Sequence, residues 1–283
     1  SDILCDFNMK YNSMEDFEDF INKVNCKGQI YDSKVSFKDL KYFSSELKDV
    51  DESVYVSGSY KGTVSKFKTK NLVLKFTDDL YFRGNVAMTG LPDMESTSMF
   101  IEAADLCLNK KDVESLPQYP FDLKKNIVLP NNIALLGKVH YSGSFEGYFY
   151  DFVSRGNITT DIGNINTDIN FKVEKEDKNT AYTGDVGLVN FNVGKFWKLD
   201  PEVGAATLNV KVQGHGLEIK NVVANIEGKV DKLHLHGYNY SNISLNGQFA
   251  KKLFNGEFIV ADPNLDMDFQ GDVDFSGNLP EMH

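Results

Sequence analysis

The chain has 283 residues, of which 41% are hydrophobic and 25% charged, and 41 acidic residues outnumber 30 basic ones for a net charge of -11. This composition is typical of a globular protein with one large or two ordinary domains, and it excludes a disordered or collagen-like chain. The acidic balance and the lack of a basic cluster also exclude a nucleic-acid groove, which needs Lys and Arg along the phosphates.

The ends of the sequence and its apolar runs bear on targeting. The chain begins at Ser1 without a Met, a basic segment or an apolar signal core, so we expect a mature product or a part excised from a longer chain. The longest apolar runs, such as residues 132–136, are far shorter than the ~20 residues of a membrane-spanning helix. The sequence therefore predicts no transmembrane helix.

Three short helices are predicted. Ser13 precedes acidic residues in a capping-box-like start, and Phe17, Phe20, Ile21 and Val24 then follow at the spacing of one helical stripe, which predicts a helix over residues 14–25. A second amphipathic helix is predicted over residues 38–48, and a third over residues 112–116, where Pro117 and Pro120 end it.

Most of the remaining chain alternates between apolar and polar residues. In residues 163–173 the odd positions include Ile165, Ile169 and Phe171, whereas the even positions are Asn, Asp or Lys. The same period of two holds in residues 81–90, 206–214, 222–230, 243–249 and 254–275. Because successive strand residues point to opposite faces, this pattern predicts many antiparallel strands with one apolar face each.

One turn and one internal repeat also support a fold of many antiparallel strands. Pro263, between Asp262 and Asn264, has the chemistry of a turn that joins the last two long strands. The run that begins Ser57-Gly58-Ser59-Tyr60 is similar to the one that begins Ser142-Gly143-Ser144-Phe145, which indicates a repeated supersecondary unit. Such repeats favour an elongated stack over one round core.

Cysteines and titratable residues give little indication of chemistry. Of the three cysteines, Cys5 and Cys26 are the best candidates for a bridge because they flank the first predicted helix, and three free thiols are the open alternative. His234 and His236 have the spacing of two metal ligands on one strand, but no third ligand follows at a recognisable spacing. The acidic residues Asp266, Asp268, Asp272 and Asp274 could bind calcium, but the Gly and Glu that a calcium-binding loop requires are missing. We therefore predict no catalytic residue, no metal, no cofactor and no enzyme activity.

The one-faced strands raise the question of what covers their apolar side. A closed sandwich and a curved sheet that keeps an apolar groove for long apolar ligands are both open solutions. An outer-membrane barrel is disfavoured because the strands are short or irregular, helices interrupt them, and residues such as Arg83 and Lys172 punctuate them.

From about residue 39 onward, the chain resembles the TamB family of translocation and assembly module proteins, which belongs to the AsmA-like, bridge-like lipid transport group. The resemblance lies in the order of several short patterns along the chain. They are Phe37-Lys38-Asp39-Leu40, Arg83-Gly84-Asn85-Val86, Asp151-Phe152-Val153-Ser154-Arg155-Gly156-Asn157, Gly237-Tyr238-Asn239-Tyr240 and Lys251-Lys252-Leu253-Phe254-Asn255-Gly256.

The resemblance implies a middle fragment of a periplasmic conduit whose parent chain is anchored in the inner membrane. It implies a mainly β fold, elongated and repeated, with an antiparallel sheet curved into an apolar groove or half-pipe. We divide it into a helical N-terminal segment (1–30), a first helix-plus-strand repeat (31–130), and second and third repeats (131–283). The expected function is to shield phospholipid acyl chains for transport from the inner to the outer membrane and for outer-membrane biogenesis.

The expected partners are phospholipids or fatty acyl chains, and an outer-membrane barrel of the TamA type reached through parts of the parent absent here. No nucleic acid is expected, and membrane contact is expected only through the parent's missing termini. Two alternatives stay open: an assembly factor or chaperone that presents strand edges to outer-membrane proteins, and a sealed β-sandwich spacer.

The residues predicted to line the groove are the apolar members of the alternating segments. A charged residue at Ile169 or Val210 is expected to block lipid passage while leaving strand pairing largely intact. The complete predicted lining is Val86, Met88, Ile165, Ile169, Phe171, Leu208, Val210, Val212, Val222, Ile226, Ile243, Leu245, Phe258, Val260, Leu265, Met267 and Phe269.

Overall fold

A computed structural model describes residues 1–40, 53–118, 122–173, 180–198, 202–216, 221–277 and 281–283. The chain divides into two compact units. Unit 1 comprises Ser1–Ala134 and Lys138–Phe149, and unit 2 comprises Leu135–Gly137 and Tyr150–His283. Both units are built mainly from antiparallel strands, which confirms the predicted mainly β fold with a few short helices. The predicted division at residues 30 and 130 stays a prediction.

Unit 1 contains an antiparallel sheet in which neighbouring strands follow chain order, β1-β2-β3-β4-β5-β6-β9. A separate hairpin, β7–β8, interrupts that order between β6 and β9. The strands are β1 (Asp2–Lys10), β2 (Asn25–Ser36), β3 (Ser53–Gly62), β4 (Lys66–Lys75), β5 (Tyr81–Thr89), β6 (Ser98–Leu108), β7 (Pro117–Gln118), β8 (Asp122–Asn126) and β9 (Val139–Tyr148).

The helices of unit 1 lie close to the predicted positions but are shorter. The first predicted helix is a 3-10 helix (Met14–Asp19) followed by α1 (Phe20–Lys23), and α3 (Lys110–Ser115) corresponds to the third. The second begins as α2 (Phe37–Leu40), and the rest of its predicted span lies outside the described residues. A further 3-10 helix, Asn131–Leu136, was not predicted.

The described residues of unit 2 form nine strands, β10 to β18, and each pairs antiparallel with its neighbour in sequence. One helix, α4 (Val193–Trp197), connects β12 to β13 and was not predicted. The strands are β10 (Asp151–Thr160), β11 (Gly163–Val173), β12 (Thr180–Asn192), β13 (Val203–His215), β14 (Val223–Leu235), β15 (Tyr238–Ala250), β16 (Leu253–Asp262), β17 (Leu265–Asp274) and β18 (Glu281–Met282).

The core of unit 2 lies on the apolar side of this sheet. Val230, Ile243 and Val260 form a buried cluster on three consecutive strands. The partly buried residues that pack against it come from the same strands and from β13 and β17, and they are Leu208, Leu233, Tyr240, Leu245, Phe258, Leu265 and Met267. Within the described residues, this cluster is therefore formed by neighbouring strands of one sheet.

The predicted turn at Pro263 is present and is fixed by Asp262. The buried Asp262 carboxylate accepts hydrogen bonds from the Asn264 backbone N–H (2.9 Å), the Tyr238 hydroxyl (2.8 Å) and both the N–H and the hydroxyl of Ser241 (2.8 Å each). The bond from the Asn264 N–H, followed by those from Ser241 and Tyr238, lowers the Asp262 pKa to about 2 despite burial. One carboxylate thus connects the β16–β17 turn to the start of β15.

We expect the Asp262→Asn variant to destabilise unit 2 at neutral pH, with a deficit that shrinks in acid. Because the folded pKa is below the ordinary value of about 3.9, this carboxylate stabilises the fold above pH ~4, and its contribution disappears as pH falls toward 2. Urea unfolding at pH 7 and at pH ~2.5 measures the effect, with exposed Asp266→Asn as the control. An equal deficit at both pH values would contradict the assignment.

Of the two alternatives for the cysteines, three free thiols is confirmed and the candidate Cys5–Cys26 bridge is wrong. On the β1–β2 ladder Cys5 pairs with Ile30 and Cys26 pairs with Met9. The two cysteines are therefore offset by about 13 Å along the strands, beyond the ~7 Å that a disulfide tolerates between Cα atoms.

We expect one thiol per native chain to react rapidly with a thiol-specific disulfide reagent. Cys5 is exposed, whereas Cys26 and Cys107 are buried, and burial raises the pKa of each of these two thiols. Three thiols should react after unfolding in denaturant. Two or more fast thiols in the native protein would show that β2 or β6 opens readily.

Candidate functional site

The strands of unit 2 align their apolar side chains in rows that run across the sheet. We define the apolar face as the side of β10–β17 that carries these rows. The first row is Ile158, Ile165, Leu188, Leu208, Val230, Ile243, Val260 and Met267, in register from β10 to β17. Eight consecutive strands thus present an aliphatic or thioether side chain at the same level.

Two further rows lie beside it. The second is Gly156, Thr167, Val186, Val210, Gly228, Leu245, Phe258 and Phe269, and the third is Ser154, Ile169, Gly184, Val212, Ile226, Gly247, Gly256 and Gly271. A fourth level adds Phe152, Phe171, Tyr182, Gly214, Ala224, Phe249, Phe254 and Val273. Apart from Ser154 and Thr167, the four levels carry apolar or aromatic side chains or glycines across all eight strands.

The register brings most of the predicted lining residues together on this face. The exception within unit 2 is Val222, which precedes the first residue of β14. Leu265 opens β17 opposite Asp262, outside the four rows, but it packs against the core cluster on the same face. Val86 and Met88 belong to unit 1 and therefore do not contribute to the rows of unit 2.

The burial of the apolar face is graded. Ile243 and Val260 are each 2% exposed and Ile169 is 7% exposed. Val210, Val212, Ile226 and Phe258 are half-buried. A charged side chain at Ile169 would therefore disturb packing, and the expectation that strand pairing survives this substitution is corrected. Val210 is less buried, so a charged side chain at that position can reach water.

Three glycines of the apolar face, Gly228, Gly247 and Gly271, are covered by neighbouring side chains. The Phe254 ring lies over Gly247, with its Cζ 2.7 Å from the position a Cβ would occupy, and the Phe269 ring covers Gly271 at 3.1 Å. Val210 covers Gly228 in the same way, at 2.9 Å. These contacts smooth the surface, because each missing side chain is replaced by a neighbour's ring or methyl group.

Unit 1 has an apolar face of its own. Val86 pairs with Ile101, and Met88 pairs with Met99 on one side and Phe67 on the other. Tyr60 stacks on Phe67 with ring centroids 5.3 Å apart, and burial raises its pKa to about 12. The predicted residues Val86 and Met88 therefore lie on an apolar, half-buried surface within this unit.

The opposite face of unit 2 is polar and solvated. Arg155 pairs with Asp168 at 3.0 Å, and this charged level continues through Asp185, Lys211 and Glu227 on the next strands. Two shallow hollows on this face have volumes of about 530 and 590 Å³, and the second is centred where Gly187 lacks a side chain between Asn166 and Asn209. Of the predicted lipid-lining residues, Val210 borders the second hollow and none borders the first.

The two histidines of the proposed metal clip do not act together. His234 lies near the end of β14 and its Nδ1 is 3.1 Å from the Asn239 Oδ1. His236 lies in the following turn with a left-handed backbone (φ 48°). Among the described residues, no group of three or more His, Cys, Asp or Glu side chains is placed to hold a metal ion.

A Cys-His-Asp arrangement that the sequence analysis missed occurs in unit 1. The Cys107 Sγ is 3.7 Å from the His140 Nε2, and the His140 Nδ1 is 3.0 Å from the Asp105 Oδ1. Tyr81 donates its hydroxyl to the Asp105 Oδ2 at 2.7 Å. The sequence contains no local motif for these four residues, because they lie on three strands that become neighbours only in the folded sheet.

This arrangement lacks an accessible nucleophile. Cys107 is 1% exposed, and burial raises its pKa, which disfavours the reactive thiolate. Burial also opposes ionisation of Asp105, but hydrogen bonds from His140 and Tyr81 hold its pKa below the usual range. The group is therefore a partly exposed polar network, with Cys107 at its buried end, that connects β5, β6 and β9.

No family model, curated protein or solved structure matches the chain. The resemblance to the TamB family stays a prediction that rests on the sequence patterns quoted above. As for membrane helices, none of the described helices combines the length and the apolar character needed to span a bilayer.

Proposed function

We propose that this chain is a non-enzymatic segment of a lipid conduit, in which the apolar face of unit 2 shields phospholipid acyl chains from water. The observation that carries the proposal is the register of apolar rows across β10–β17, with half-buried members such as Val210, Val212 and Ile226. Transfer from the inner to the outer membrane, and a periplasmic location, rest on the family resemblance.

The chemistry of the two faces fits an acyl chain. Burying each CH₂ stabilises the bound state by roughly 0.8 kcal/mol, so one long chain gains on the order of 10 kcal/mol before ordering costs. The rings over Gly247 and Gly271 remove depressions that would hold one lipid too tightly. A smooth succession of similar side chains gives the flat energy profile that sliding along the strands' stacking direction requires.

Photo-cross-linking from neighbouring positions tests the proposal. We expect a photoreactive phenylalanine analogue at Val212 or Ile226 to form adducts with phospholipid supplied in vesicles. The same analogue at Gln213 or Glu227, on the opposite face of the same strands, should form few. Equal labelling from both faces, or none from Val212 and Ile226, would contradict the proposal.

The alternative of an assembly factor has one observation in its favour. In the described chain β1 pairs on one side only, with β2, and Ile3, Leu4, Phe7 and Met9 on it are exposed. Such a strand can accept an extended peptide by β-augmentation. The same cross-linking reagent placed at Asn8 separates the two functions, because the alternative predicts protein adducts there rather than lipid.

A further inference from the structure

The helix α4 connects the apolar face of unit 2 to solvent through three aromatic rings. Phe191, at the end of β12, pairs with Ala206 and is 1% exposed. Phe196 packs edge-on against Phe191 with centroids 5.5 Å apart, and Trp197 packs against Phe196 at 5.3 Å. Trp197 is 43% exposed, so the aromatic path begins at a buried ring beside the apolar rows and ends in water.

Local contacts fix the position of α4. The Asn192 side chain accepts a hydrogen bond from the Lys195 N–H at 2.8 Å, which caps the first turn, and Lys198 ends the helix in a left-handed conformation (φ 54°). Gly194 lies so close to β13 that a Cβ at this position would collide with the Val203 carbonyl oxygen. The Phe196 and Trp197 rings are therefore held by a helix whose position is fixed by these contacts.

The exposed end of this path has the chemistry of a lipid headgroup region. Lys195 and Lys198 are both exposed and flank Trp197 in sequence. An indole combines an apolar body with one N–H donor and prefers the level where headgroups meet acyl chains. The ammonium groups of Lys195 and Lys198, which are three residues apart at this end of α4, supply the positive charge that an anionic phosphate requires.

We propose that α4 is a headgroup site: Lys195 and Lys198 bind the phosphate of an anionic phospholipid whose acyl chain lies on the apolar face of unit 2. This inference rests on the proposed function and goes beyond it, because it assigns a substrate class and the residues that select it. Trp197 then contacts the glycerol region, and the Phe196 and Phe191 rings connect it to the apolar rows.

Trp197 is the only tryptophan in the chain, so its fluorescence reports on the site directly. The probes are lysophosphatidylglycerol and lysophosphatidylcholine with the same acyl chain, each added below its micelle concentration. We expect both to shift the Trp197 emission to the blue, with the anionic lipid binding about tenfold more tightly. Glycerol phosphate without an acyl chain should cause no shift at the same concentrations.

Charge-removing variants test the role of the lysines. The Lys195→Gln/Lys198→Gln variant should bind the anionic and the zwitterionic lipid with about equal affinity, while its binding of a fluorescent fatty acid is retained. The double variant Lys211→Gln/Lys229→Gln, which removes two exposed lysines from the polar face of the same sheet, should keep the preference.

Three results would overturn the inference. They are equal affinity of the native chain for the two lipids, a preference that survives in the Lys195→Gln/Lys198→Gln variant, and a Trp197 shift caused equally well by glycerol phosphate. In each case continued binding of the fluorescent fatty acid would leave the proposed function standing. Absence of all acyl-chain binding would instead overturn both proposals.

Discussion

Replacing Ile243 by alanine should lower the free energy of unfolding of unit 2 by about 3 kcal/mol. Ile243 is 2% exposed and lies between Val230 and Val260 at the centre of the core cluster. Truncating its side chain removes apolar contacts and leaves a cavity that neighbouring strands cannot easily close, because their register fixes them. This is the largest stability effect that we predict for a single substitution.

Urea denaturation followed by the fluorescence of Trp197, which belongs to unit 2, measures this effect. Asn246→Ala on the same strand is the matched control, because Asn246 is exposed on the polar face and its truncation should change stability by less than about 0.5 kcal/mol. A loss below about 1 kcal/mol for Ile243→Ala would contradict the assignment of the core to this face.

Replacing Val210 by glutamate should weaken binding of a fluorescent fatty acid at least about tenfold, which corresponds to about 1.4 kcal/mol. Val210 is half-buried in the second row, between Val186 and Gly228 on the flanking strands. A carboxylate there places charge where the acyl chain is expected to lie, and desolvating that charge opposes binding. The half-exposed position lets the carboxylate reach water in the free protein, so the fold should persist.

Asn209→Glu is the control for this prediction. It introduces the same side chain and the same change in net charge one residue away, but on the polar face, so fatty-acid binding should stay within about twofold of the native value. Equal binding by both variants would show that the acyl chain lies elsewhere. Equal weakening by both would point to long-range charge repulsion rather than to contact with Val210.

The period-two pattern was sufficient to predict β11 and β13–β17 of unit 2 and their apolar sides, whereas no alternating segment was identified over β10 or β12. In residues 163–173 the predicted apolar positions Ile165, Ile169 and Phe171 all lie on the apolar face. The pattern also existed in residues 5–10, where Cys5, Phe7 and Met9 alternate with Asp6, Asn8 and Lys10, and β1 forms there. That strand was missed because the adjoining helical stripe drew residues 1–30 into one helical segment.

The rows of the candidate site depend on register, which the sequence did not specify. Asp231 is skipped between the pairs Thr207–Lys232 and Leu208–Val230, and a second shift falls between Leu188 and Phe191. Such bulges move every following side chain relative to its neighbours. Which residues meet across strands is therefore a tertiary property, and the same holds for the contact between Cys107 and His140.

The helix α4 could not be predicted from periodicity, because it is only five residues long and is set between two alternating strands. Its signals are local: the Asn192 cap, and the break in alternation at Val193 and Gly194, both of which are buried. Burial of Gly194 against Val203 depends on the neighbouring strand, and this contact positions Trp197.

The central claim is that the apolar face holds acyl chains, and solvent extraction followed by mass spectrometry tests it most directly. The chain is purified without detergent, beside the Val210→Glu variant and a soluble β-sheet protein of similar size. We predict that the native chain carries phospholipid or fatty acid well above the level of both controls. A native chain as free of lipid as the controls, and unable to take up a fluorescent fatty acid, would contradict the claim and favour a sealed β-sandwich.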